Sequence, residues 1–109
     1  MAFLEKGNEG ALNGTTGVSV VPTPGSGVRR LVRNVGVTNR DTVAHVVTLF
    51  KDKNGTAYEL ARESLQPADY WTFDKLMVLD ADDESIVAKS DATATTTEPS
   101  FDAAFADAS

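Results

Sequence analysis

Apolar and polar residues alternate along most of this chain in short runs, and turn residues cut the runs every 8 to 14 positions. The runs fall at 18–21, 28–38, 43–50, 57–65, 70–79, 85–90 and 92–97, each rich in β-branched or aromatic residues. A two-residue period puts successive side chains on opposite faces of a strand, and many short strands at regular spacing mark a sandwich or small barrel. The pattern predicts an all-β chain: a single antiparallel β-sandwich, immunoglobulin-like or jelly-roll-like, of about seven strands. Extended arms at 1–14 and 99–109 flank the predicted domain at 15–98.

Within 28–38, Leu31, Val35 and Val37 share one parity, and Asn39, Arg40 and Asp41 supply turn chemistry, so a hairpin with 43–50 is the simplest expectation. In the next run Val43, His45, Val47 and Leu49 face one way and Ala44, Val46, Thr48 and Phe50 the other. So little polar character on either face predicts a central strand covered on both sides. A second hairpin is expected at Asp52 to Gly55, with Asn54 or Gly55 in the left-handed conformation. The run 57–65 reads as strand rather than helix because a hairpin precedes it and Pro67 starts a turn after it. Pro22 to Gly27 reads as a connector, and a threonine-rich strand at 92–97 is expected to end before Pro99.

The termini lack this alternation. The first 14 residues hold Gly7, Gly10 and Gly14, with Phe3 and Leu4 as their only bulky apolar groups, so they read as a frayed end or as an arm that orders on a partner. At the other end Phe101 and Phe105 stand in a background of Ala, Asp and Ser. They can share one face of a short helix, fill pockets on a neighbouring subunit, or fold back on their own domain. The adopted expectation is a contact between chains, so that alanine at both positions weakens association and leaves the melting temperature nearly unchanged.

Composition narrows the function classes. At 109 residues, with 41% hydrophobic and 24% charged residues, the chain has the length and make-up of one folded domain. The absence of cysteine excludes disulfides and thiolate metal sites. No long apolar stretch reads as a signal peptide, so synthesis and use without general secretory export, and no membrane partner, are expected. A net charge of −6 and a pI near 4.6 repel phosphate backbones, so nucleic acid is not the expected partner. The basic cluster Arg29, Arg30, Arg33 and Arg40 contrasts with an acidic second half, an asymmetry suited to one copy's basic edge meeting another's acidic edge.

Candidate chemistry is sparse. A hydrolase triad needs a nucleophile, a base and an orienting carboxylate; the one histidine, His45, lies in mid-strand and reads as a core or rim residue. No catalytic residue and no cofactor is expected. Asp80, Asp82, Asp83 and Glu84 crowd oxygens as a hard cation requires, but without the EF-hand glycine and spacing, and a solvated acidic turn is the reading adopted. Gly25, Ser26 and Gly27 precede a strand rather than a helix, which excludes a phosphate loop. Trp71 with Tyr70 offers a sugar or peptide platform, against which stands a core role for Trp71 and Phe73.

Several of these phrases occur together in one kind of protein. The run Val-Arg-Arg-Leu-Val-Arg-Asn-Val, then Thr38-Asn39-Arg40-Asp41, Val46-Val47-Thr48-Leu49, Ser64-Leu65-Gln66-Pro67-Ala68-Asp69 and Leu79-Asp80-Ala81-Asp82-Asp83-Glu84-Ser85-Ile86 resemble small β-sandwich virion proteins of tailed bacteriophages. The commoner phage form carries glycine in the turn that here reads Pro67-Ala68-Asp69. The resemblance implies a virion structural protein, foremost a capsid decoration or cement protein on the head exterior, made in the host cytoplasm. Its implied partners are the major capsid protein and further copies of itself, a trimer among the forms allowed. Phe3, Leu4, Arg29, Arg30, Arg33, Phe101 and Phe105 are the candidate contact residues. The alternatives are a head-to-tail connector, tail or head-fibre-base component, and a carbohydrate-binding module using Trp71 and Tyr70.

Overall fold

Strands form over most of the alternating runs, and also in the two segments near the ends that lack the alternation. In a computed structural model describing residues 3–80 and 83–108, they are β1 Phe3–Ala11, β2 Val18–Val21, β3 Arg29–Thr38, β4 His45–Lys53, β5 Thr56–Leu65, β6 Tyr70–Phe73, β7 Met77–Leu79, β8 Glu84–Ser90 and β9 Ser100–Ala108. One sheet has the order β1-β9-β3-β6, with β7 also on β3; the other has the order β2-β8-β4-β5. Every pairing between strands is antiparallel, and the sheets pack face to face as a sandwich of 45 × 25 × 19 Å.

The inner faces meet in one core. Val32, Val35 and Val37 of β3 with Phe101, Ala103 and Phe105 of β9 pack against Val20, Val21, Val47, Leu49, Ile86 and Ala88 of the other sheet. In β3 the register shifts between Val32 and Asn34, so a bulge at Arg33 switches parity. Val32 therefore shares the inner face with Val35 and Val37, and Leu31, expected inside, is only half-buried. In β4 the inner set His45, Val47 and Leu49 is buried as expected, whereas Val43 precedes the strand and is exposed.

The expected terminal arms are strands of the sandwich. β1 pairs with β9 from Phe3 opposite Ala108 to Ala11 opposite Ser100, and β9 also pairs with β3 along its length. The Ala-rich sequence of β9 suits this place, because a strand flanked on both sides gains its ladder hydrogen bonds from neighbours rather than from its own propensity. The i, i+4 spacing of Phe101 and Phe105 is even, so on a strand both rings still share a face.

Three further expectations change. The runs 28–38 and 43–50 are not a hairpin, since β3 and β4 lie in different sheets and residues 39–44 carry the chain across. The run 70–79 is broken at 74–76 into β6 and β7, both on β3. Residues 92–97 form no strand; their backbone is held by a side chain described below. The expected β4–β5 hairpin is present, with Asn54 at φ 53° and Gly55 at φ 88° closing it.

Ala68 also sits at φ 71°, in the turn between β5 and β6. A Cβ there costs roughly 1 kcal/mol. Ala68→Gly is therefore expected to stabilise the domain by about 0.5–1 kcal/mol in urea unfolding, an increase that an unstrained turn would not give.

Candidate functional site

The connections at 12–17, 39–44, 66–69 and 91–99 gather at one end of the sandwich, where they are locked by buried polar groups. Asn39 is fully buried: its amide Nδ2 donates to the carbonyls of Val43 and Leu65, both at 2.9 Å, and its Oδ1 accepts from Asp41 N–H at 3.0 Å. Its backbone pairs with Asp69 and Ala68, which ties in the 66–69 turn. Asp41 lies at the centre. Oδ1 accepts from the backbone N–H groups of Thr42 (2.9 Å), Thr96 (2.8 Å) and Thr97 (3.3 Å), and Oδ2 from Thr95 N–H at 2.8 Å.

His45 completes this cluster from β4. Its Nε2 lies 2.6 Å from Asp41 Oδ2, and its Nδ1 lies 2.8 Å from Ser90 Oγ and 3.3 Å from Asp91 Oδ1. The His45 bond and the backbone N–H donors hold the Asp41 carboxyl well below the usual carboxylate range, against the opposing effect of burial. An ionised carboxylate only accepts, so His45 Nε2 carries a proton. Gly14, at φ 55° and with Thr93 packed against it, joins the 12–17 turn: its N–H donates to Glu98 and its carbonyl accepts from Ser90 N–H.

Asp41, His45 and Ser90 thus stand in the carboxylate, imidazole, hydroxyl order of a hydrolase triad. Their exposures of 3%, 1% and 4% leave a substrate carbonyl no approach to Ser90 Oγ. Each acceptor of Asp41 already holds loop backbone, so the cluster acts as a clasp for four connections. Of the two places sequence reading left for His45, core or rim, the structure shows the core, and sequence reading missed Asn39, Asp41 and Ser90, whose partners lie as far as 56 positions away.

The other candidate residues separate by environment. Arg30 is buried and grips Asp107 through Nε (2.7 Å) and Nη2 (3.0 Å), donates to Pro22 O at 2.7 Å, and lies 4.4 Å above the Phe105 ring. The Arg30 guanidinium, with Lys6 beside it, holds the Asp107 carboxyl below its ordinary range. Arg30 is therefore unavailable to a partner, as are Phe101 and Phe105, which are 6% and 3% exposed in the core. These three are corrected from contact residues to internal ones, because the opposite sheet covers Phe101 and Phe105 on the inner face of β9, and Asp107 and Pro22 O hold Arg30 of β3 inside.

Arg29 and Arg33 are exposed and paired within the chain, Arg29 with Asp80 at 3.3 Å and Arg33 with Glu5 at 2.8 Å. Leu4 is 61% exposed; the side chain of Phe3 lies outside the described residues. Arg40 lines a depression of about 340 Å³ together with Glu9, Ser100 and Asp102.

In the acidic turn, Glu84 is buried and accepts from Asp80 N–H at 2.8 Å, which with Lys51 and Lys53 lowers its pKa. Asp82 lies outside the described residues. Among the described residues no group of three metal-ligating side chains comes together. Trp71 and Phe73 meet edge to face at 6.3 Å against the core, whereas Tyr70 is 71% exposed. Alternation on β6 thus puts Trp71 and Tyr70 on opposite faces, and they share no platform. No helix among the described residues is long and apolar enough to cross a membrane.

No protein-family model matches the chain, and no curated protein matches it.

Proposed function

We propose that this protein is a structural component of a tailed-phage particle, a decoration protein that binds the outer surface of the head and stabilises the shell without catalysing a reaction. The observation that carries this reading is the clasp: the constellation nearest to a catalytic one is sealed and occupied in holding four loops, which leaves a stiff block whose outer surfaces are free for contact. The phrases behind the virion resemblance support it, since Thr38 to Asp41 and Ser64 to Asp69 supply Asn39, Asp41 and the turn they hold. The acidic net charge favours a place away from packaged DNA.

With β1 and β9 paired into the sandwich, its faces and edges are the surfaces proposed for attachment. Exposed apolar side chains at Leu4, Tyr70, Leu76 and Val78 supply contact area, and the partners are the major capsid protein and further copies of this chain. The test is to add purified protein to heads assembled without it, count bound copies by imaging, and heat the particles. Hundreds of copies over the shell and later rupture are expected, whereas about a dozen copies at one vertex would reassign the protein to the neck or tail.

A further inference from the structure

The sandwich leaves two long strand edges open. One sheet ends at β1 and at the short β6 and β7, and the other ends at the four-residue β2 and the ten-residue β5. An edge strand offers a row of unpaired backbone donors and acceptors, and edge strands of only three or four residues offer too few to template pairing. β1 and β5 are therefore the edges on which a further strand can be added. Their charges distinguish them.

We propose that β5 is a self-association edge: two copies join antiparallel along β5 about a twofold axis, with Glu59 of each facing Arg62 of the other. A twofold axis normal to the sheet preserves its faces, so residues brought opposite one another must point to the same side. In an uninterrupted strand Glu59 and Arg62, three apart, point to opposite sides. β5 is interrupted. Leu49 pairs with Ala61 and Phe50 with Glu59, so Leu60 is an extra residue and the strand bulges there.

The bulge returns Glu59 and Arg62 to one face, opposite Phe50 and Thr48, where they form an ion pair of 2.7 Å within the chain. A twofold copy with Leu60 opposite Ala61 then sets Glu59 against Arg62 twice and Tyr58 against Glu63. Every pair agrees in face, because Tyr58 and Glu63 both lie opposite inward-parity positions of β4, Lys51 and Val47. All β5 residues before Leu65 are at least partly exposed, so the edge is accessible. In β1 the charges conflict. Lys6 faces inward to Asp107 while Glu5 and Glu9 have the other parity, so face-matched antiparallel registers never set Lys6 against a glutamate, and one sets Glu5 against Glu9.

The proposal concerns β5 alone and holds wherever the protein acts. Its test is sedimentation equilibrium of the full chain over about 1 µM to 1 mM, since a single strand pair is a small interface and a dissociation constant near the micromolar range is expected. Arg62→Glu and Glu59→Arg each turn two attractive cross-strand pairs into repulsive ones and should weaken the dimer at least about tenfold. The double variant Glu59→Arg/Arg62→Glu restores complementarity and should return affinity to within about threefold of the original. Circular dichroism checks folding of each variant, and either single variant serves if the other misfolds. A monomer throughout the range, a dimer indifferent to the single substitutions, or a double variant as weak as the singles would overturn the proposal.

Discussion

Replacing Phe105 by alanine is expected to lower the unfolding free energy by about 3–5 kcal/mol, roughly a fifth or more of the margin of an ordinary domain. The ring is 3% exposed in β9, between β1 and β3, and it carries the Arg30 guanidinium 4.4 Å above its centre. Removing it leaves a cavity between the sheets and takes away the surface on which a buried cation rests. Urea unfolding measures the effect, with Leu4→Ala, at an exposed site, expected to stay within about 0.5 kcal/mol. An unchanged midpoint for Phe105→Ala would return the C-terminal segment to the role of a contact arm.

Asp41→Asn is expected to have a comparably severe effect by another route. The carboxylate accepts from His45 and from four backbone N–H groups; an amide keeps one acceptor oxygen and turns an NH₂ toward donors. Buried donors left without acceptors destabilise strongly, so the variant should lose the ordered 91–99 connection and unfold at far lower urea concentration. Backbone hydrogen exchange at Thr95 to Thr97 should rise to near that of an open loop.

The same carboxylate makes stability fall in acid. Its pKa is depressed on folding, so its contribution is complete above the unfolded value near 4 and is lost as pH falls toward the lower folded value. Glu84 and Asp107 are depressed too and act with the same sign. Urea midpoints measured between about pH 2 and 7 should therefore decline below about pH 4, and Asp41→Asn should show a shallower decline. A wild-type midpoint that rises on acidification would contradict this assignment of charge.

Much of the sandwich is legible in the sequence because its signals are local. Alternation in β2, β4 and β8 marks strands through a period that each segment carries by itself, and Asn54-Gly55 specifies a hairpin through backbone conformations those two residues tolerate. The all-β class, the β4–β5 hairpin and the inward Trp71 and Phe73 follow from such signals. Only the tertiary structure decided which sheet each strand joins, that β1 and β9 are strands, and that Arg30 and Asp41 are internal. β1 and β9 have too little apolar alternation to declare themselves; β1 becomes a strand because β9 supplies its hydrogen bonds, and β9 because β1 and β3 supply its own. Arg30 is buried because Asp107, 77 residues away, neutralises it, and Asp41 because the backbone of 95–97 closes over it. A charge enters a core only where its partner is already placed, and strand pairing across the whole chain sets that placement.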